Sequence, residues 1–153
     1  LVFSTLHTNT AAGSISRLID IGIEPFLIGS TMNAVIAQRL VRRLCPHCKT
    51  SRLATSEEKA LLDLPEEKEA KIYDPVGCAL CQGTGYRGRL GLFETLWFDD
   101  ELAKLVTKGC DEEELEARAG SKRFRPMWVD GITKILYGIT TLAEVQSVAV
   151  KRH

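Results

Sequence analysis

Two short cysteine pairs constrain this chain more than anything else in it. Cys45-Pro46-His47-Cys48 and Cys78-Ala79-Leu80-Cys81 share the C-x2-C spacing, and a charged stretch, residues 49–77, separates them. Two residues between cysteines let both sulfurs of a turn face one point. Two such knuckles supply the four thiolates of a closed tetrahedral zinc site. The separation exceeds the usual ribbon spacing of about 15–20 residues. A longer insert is tolerable, because each doubling of loop length costs only about 0.6 kcal/mol. Two disulfides or a redox dithiol are the alternatives. Disulfides need an oxidising compartment, and nothing in the sequence indicates export. His47 sits inside the first knuckle, but four sulfurs already fill the coordination shell, so it reads as a bystander. Cys110 is a fifth cysteine without a sequence partner and reads as structurally unimportant.

The 153 residues suffice for one domain or two small ones. Twenty Lys and Arg balance twenty Asp and Glu, a formal net charge of zero that gives no support for nucleic-acid binding. No apolar run approaches the roughly 18 residues of a membrane span, and the N-terminus lacks the charged region of a secretory signal. The expected compartment is therefore the reducing cytoplasm. The chain opens without Met on Leu1-Val2-Phe3-Ser4-Thr5-Leu6, which reads as a buried strand. The expectation is a piece of a longer polypeptide whose sheet partners lie upstream.

Beyond that strand the pattern alternates between helix and turn signals. Ala11, Ile15, Leu18 and Ile19 recur at helical spacing after the cap-like His7-Thr8-Asn9-Thr10, and Gly22 suits the stop. Pro25 fits a first helical position, with Phe26, Ile28, Met32, Val35 and Ile36 lining the buried face of a second helix. Residues 39–44 lead into the first knuckle as a strand or as the end of that helix. Ser56 reads as the cap of a short helix in an otherwise solvated Glu- and Lys-rich stretch. A returning strand at 90–93, ending at Glu94, would clasp the base of the cysteine module together with 39–44. Helices then begin at Asp100 and at Asp111-Glu112-Glu113-Glu114, and a third runs from Met127 to near Gly138. A last one opens at Thr141, with Glu144 reaching back as a capping box. Trp97, Phe98 and Trp128 read as core, and Arg39, Arg42 and Arg43 as a solvated basic cluster.

Taken together, several of these stretches resemble one family, the motor ATPases of type II secretion and type IV pilus assembly. Leu1 to Asn9 resembles the family's histidine box. Arg17-Leu18-Ile19-Asp20, Gln38-Arg39-Leu40 and both cysteine knuckles match its following segments. So do Thr84-Gly85-Tyr86-Arg87-Gly88-Arg89, Asp130-Gly131-Ile132-Thr133-Lys134 and Gly138-Ile139-Thr140-Thr141. The resemblance covers essentially the whole chain. It is closest to the secretion members. Pilus-extension and DNA-uptake motors are the alternatives within the class, and the retraction motors generally lack the cysteines.

The resemblance implies an α/β fold: the C-terminal part of a RecA-like P-loop ATPase domain, with an inserted four-cysteine zinc module and a C-terminal α-helical subdomain. The implied divisions are 1–44 (remainder of the ATPase core), 45–81 (zinc module), 82–98 (return to the core) and 99–153 (helical subdomain). It further implies a cytoplasmic homo-hexamer, peripheral to the inner membrane through a platform protein and a cytoplasmic membrane protein, with ATP and Mg in the full-length enzyme. His7 would orient the attacking water or contact the γ-phosphate, and Arg89 would contact nucleotide. Arg89 reads equally well as a surface ion-pair residue, and without the family His7 reads as a satisfied strand-end histidine.

A P-loop, G-x4-G-K-[S/T], does not occur in the 153 residues, so the chain alone is expected not to hydrolyse ATP. Gly83-Thr84-Gly85-Tyr86-Arg87-Gly88 fits G-x-G-x-x-G but follows a knuckle rather than a strand, and is rejected as a dinucleotide site. From another class, a free-standing zinc-binding interaction module and a dithiol redox protein are the competing readings. Cys45, Cys48, Cys78 and Cys81 would hold the metal for structure, since four thiolates leave no open position for chemistry. Metal would supply much of the folding free energy of residues 45–81, with the C-terminal helices independent of it.

Overall fold

The computed structural model describes residues 1–149 and Lys151. It is a mixed α/β chain whose elements, in order, are α1 (Ala11–Asp20), α2 (Pro25–Thr31), β1 (Ala34–Leu44), β2 (Thr50–Leu53), α3 (Ser56–Leu61), β3 (Lys71–Asp74), β4 (Tyr86–Trp97), α4 (Asp100–Lys108), α5 (Glu112–Arg123), β5 (Phe124–Arg125), α6 (Met127–Leu136) and α7 (Leu142–Gln146). β1, β4 and β5 form a three-stranded sheet in that order, and β2 with β3 a two-stranded one. Two compact units emerge, one of residues 1–38 and 93–127, the other of 39–92 and 128–153. No helix among the described residues is long and apolar enough to cross a membrane.

In the first unit, α1 is started from two directions. Thr10 accepts the Gly13 N–H at 2.9 Å, and the buried Glu94 carboxylate on β4 accepts the Ala11 N–H at 2.7 Å. An anion at this end suits both the unpaired amides and the helix dipole. α4 is capped by Asp99, which accepts from Glu101 and Leu102, and α5 by Asp111, with Glu112, Glu113 and Glu114 in its first turn. Those caps and Arg123 hold the Asp99 carboxyl below its usual range, the Leu102 N–H contributing most. α2 lies so close to α4 that a methyl group at Gly29 would stand 2.6 Å from the Ala103 carbonyl oxygen. Ile15, Ile28, Leu96, Leu102, Val106 and Leu115 are among the buried apolar residues of this unit.

Several expectations fail here, and Phe26 and Trp97, expected on a buried helix face and in the core, are 55 and 54% exposed. Residues 1–6 form no strand, and Leu1, Val2 and Phe3 are 95, 90 and 87% exposed. A strand exists only when a neighbour takes its backbone hydrogen bonds, and no described strand pairs with this stretch. The second helix also stops early, at Thr31, because Met32 turns extended (ψ 125°) and the chain enters β1. Val35 and Ile36, placed on a helix face from spacing alone, are β-branched residues that suit a pleated strand.

In the second unit, β2 and β3 pair antiparallel from Thr50↔Asp74 to Leu53↔Lys71. This hairpin lies in the stretch read as merely solvated. Its signal was Ile72-Tyr73, with Ile72 now 3% exposed. α3 is capped by Thr55 rather than Ser56, and Thr55 and Glu58 complete a reciprocal capping box. The Arg52 guanidinium grips Glu58 through two 2.6 Å bonds and reaches Asp74 at 2.6 Å.

Held first by Arg52 and then by the Thr55 N–H, the Glu58 carboxyl sits at about 2. Its folded value lies below its unfolded one, so this cluster stabilises the fold above about pH 4.3 and loses that contribution as pH falls towards 2. Arg52 remains 39% exposed, so screening limits the expected contribution to about 1 kcal/mol. Urea titrations of the wild type and of Glu58→Gln should converge as the pH falls through that window. Parallel curves across it would exclude the effect.

The final helix shows another departure. Thr141 caps α7 by accepting the Glu144 N–H, but the Glu144 side chain does not reach back. It accepts instead from the Arg42 backbone N–H (2.8 Å), Nε (3.0 Å) and Nη2 (2.6 Å). A guanidinium outcompetes a single backbone amide for a carboxylate. Arg42 is exposed as expected, but it is also ion-paired with Glu144 and stacks 4.1 Å from the Tyr86 ring centre.

Candidate metal centre

Each knuckle is a tight turn closed by its own backbone. Cys48 and Lys49 donate to the Cys45 carbonyl, and Cys81 and Gly83 to the Cys78 carbonyl. A single 3-10 turn over Ala79–Cys81 sets the second pair. The two knuckles are brought together by the strands that flank them: the Cys45 N–H donates to the Gly85 carbonyl at 2.9 Å, just where β1 ends and β4 begins. The clasp expected between 39–44 and the returning strand is therefore present, with β1 and β4 as sheet neighbours and β4 longer than foreseen.

The four Sγ atoms lie within 4.8 Å of one another. Cys45–Cys78, Cys48–Cys81 and Cys78–Cys81 are 3.9, 3.8 and 3.7 Å apart. A zinc–sulfur bond of about 2.3 Å gives a regular tetrahedron an edge of about 3.8 Å, so these separations fit one shared cation. All five cysteines are free thiols. Cys45 and Cys81 are buried, and Cys48 and Cys78 half-buried.

Backbone amides complete the cluster. Cys81 Sγ accepts the N–H of Cys78 at 3.1 Å and of Gly85 at 3.2 Å, and Cys48 Sγ that of Gly77 at 3.3 Å. Burial raises the Cys81 thiol, but its two N–H donors and the neighbouring thiols outweigh this and bring it down to about 6. Burial dominates at Cys48 and pushes it up to about 11, against the Gly77 N–H. The cluster is thus built to carry negative charge at Cys81, and a cation is what would let the remaining thiols ionise beside it. Gly85 is required at its position: its φ is +75°, and a Cβ would stand 2.4 Å from that of Pro75. Nothing in the sequence marks Gly77 and Gly85 as donors to sulfur.

The remaining expected site residues are more loosely placed. His47 is exposed on the first knuckle and lies outside the sulfur cluster. His7 is exposed on the extended N-terminal stretch of the first unit, and neighbouring Thr8 bonds Ser14 at 2.7 Å. Arg89 is exposed on β4 in the second unit. Cys110 is half-buried beside Glu114 and Asp111. Burial first, then those carboxylates, raise its thiol, the reverse of a reactive cysteine.

Residues 1–147 match the Type II/IV secretion system protein family, and the chain belongs to that family. It is 46% identical over 150 residues to Type II secretion system ATPase E of Vibrio cholerae, covering 97% of this chain and 29% of that protein. It is 46% identical over 147 residues to Type II secretion system protein E of Pseudomonas aeruginosa, covering 95% and 29%. Against Type IV pilus assembly ATPase TfpB of Acinetobacter baylyi it is 43% identical over 149 residues, covering 95% and 25%. The chain spans less than a third of the length of each of these relatives.

Proposed function

We propose that the chain serves as the C-terminal part of a motor ATPase that powers type II secretion through pseudopilus assembly. Its first unit would complete a RecA-like core, and its α4–α7 helices would form the moving C-terminal portion. One structural zinc would sit on Cys45, Cys48, Cys78 and Cys81. The observation that carries this reading is the four-sulfur cluster inside a chain matched to the secretion family over residues 1–147. The type IV pilus motor is the second reading, supported by the 43% identity to TfpB.

In such a motor ATP and Mg would bind to a P-loop, which these 153 residues do not contain. The chain's own contribution would be mechanical: a zinc-braced unit transmitting rearrangement within a cytoplasmic homo-hexamer. It would push on the inner-membrane platform protein and the associated cytoplasmic membrane protein. His7 would position the attacking water or contact the γ-phosphate, and Arg89 would contact nucleotide.

The test is made in a full-length motor carrying this sequence. His7→Ala should lower kcat by about 100-fold while leaving KM for ATP within a few-fold, the pattern of a group that acts in the transition state. An unchanged kcat, or equal loss of turnover and nucleotide binding, would remove the role.

A further inference from the structure

We infer that the cysteine centre governs the order of the α6–α7 junction, with Lys49 as the positioning residue that joins them. The inference rests on the reading of the cluster as a metal site. Lys49 follows Cys48 directly, and its N–H closes the first knuckle on the Cys45 carbonyl at 3.1 Å. Its ammonium then donates to the Gly138 carbonyl at 2.6 Å and lies 4.7 Å from the centre of the Tyr73 ring. Tyr73 packs in turn on Gly138.

The other fastenings of the junction also start beside the sulfur ligands. The Leu44 N–H, one residue before Cys45, donates to the Ile139 carbonyl at 2.9 Å. The fully buried Thr140 hydroxyl donates to the Arg42 carbonyl at 2.8 Å. The Tyr86 hydroxyl, one residue beyond the Gly85 donor, pairs with Thr141 at 3.2 Å. Arg42 holds Glu144. Four successive residues, Gly138 to Thr141, thus bond to groups within three positions of a ligand or sulfur-donating amide.

α7 has five residues, far too few to persist as an isolated helix, so its order is borrowed from these contacts. Sequence patterning suggested C-terminal helices independent of metal. The contacts of 138–144 make the last of them dependent on it. A knuckle that opens carries Leu44 and Lys49 with it, and the Ile139 and Gly138 carbonyls lose their donors.

Hydrogen exchange on the 153-residue chain tests this, with bound metal measured in parallel by elemental analysis. In zinc-loaded Lys49→Met, metal content should stay at the wild-type value while amides 138–146 exchange about tenfold faster, the effect of losing one charged hydrogen bond. Amides of α4 and α5 should not change. Lys49→Arg, which keeps a cationic donor, should restore most of the protection. Chelating the metal from the wild type should accelerate 138–146 at least as much. Unchanged exchange at 138–146 in zinc-loaded Lys49→Met overturns the inference, as does chelation that accelerates α4 and α5 equally. A wild-type chain that binds no metal would instead defeat the reading of the cluster beneath it.

Discussion

A Cys81→Ser chain is expected to lose its bound metal, and with it the cooperative fold of residues 39–92, while Cys110→Ser keeps both. Cys81 is the sulfur with most at stake. It is 6% exposed, stands 3.7 and 3.8 Å from Cys78 and Cys48, and receives two backbone N–H bonds. A serine hydroxyl stays protonated at neutral pH and is a poor zinc ligand, so the site drops to three thiolates. The Cys78 and Gly85 amides lose their anionic acceptor as well. Structural zinc contributes about 10–16 kcal/mol in small modules, and losing one of four ligands forfeits a share of about 3 kcal/mol or more. That is a large part of the stability of about 5–15 kcal/mol available to an ordinary domain. Elemental analysis should fall from one zinc per chain to none, with thermal unfolding shifted down and broadened. Because thiols must ionise to bind, and Cys48 sits at about 11, apparent zinc affinity in the wild type should weaken as pH falls. One zinc per chain in Cys81→Ser would refute the assignment of Cys81 as a ligand.

What the sequence disclosed depended on the range of the interaction involved. The C-x2-C knuckles and the Thr141 cap are set within four residues and appear where spacing placed them, and the caps Thr10 and Asp111 fall inside the polar and acidic clusters read as helix starts. The caps at Thr55 and Asp99 fell one residue from the expected Ser56 and Asp100, because adjacent capping-competent residues differ only in which one turns extended. Long-range partners were not legible. Glu94 ends up buried against the start of α1, 83 positions away, and Glu144 leaves its local box for Arg42, 102 positions away. The β2–β3 hairpin was hidden by the charge of the segment that carries it, and β1 by apolar spacing that suits two periods at once. Of the metal site, the ligands were readable and the amides that serve them were not, since a backbone N–H leaves no mark on composition.

The second large effect is expected at Gly138, where an added methyl group meets both a backbone and a packing obstacle. Its φ of +64° is left-handed, which costs an L-residue about 1 kcal/mol. The new Cβ would also stand 2.5, 2.6 and 2.9 Å from Cδ2, Cε2 and Cγ of Tyr73, well inside van der Waals contact. The ring cannot retreat freely, because β3 fixes its backbone opposite Ser51 and the Lys49 ammonium covers it. Gly138→Ala should therefore destabilise the second unit by about 3 kcal/mol, the sum of left-handed strain and overpacking. The two contributions separate in a double-mutant cycle. Tyr73→Ala alone loses the packing of its ring. Gly138→Ala placed on that background should cost only the strain of about 1 kcal/mol, so the pair is less destabilised than the two single changes added together by about 2 kcal/mol. Simple additivity in chemical denaturation would mean that the ring is not what excludes a side chain at 138. The close seat of Tyr73 against the α6–α7 junction would then be wrong.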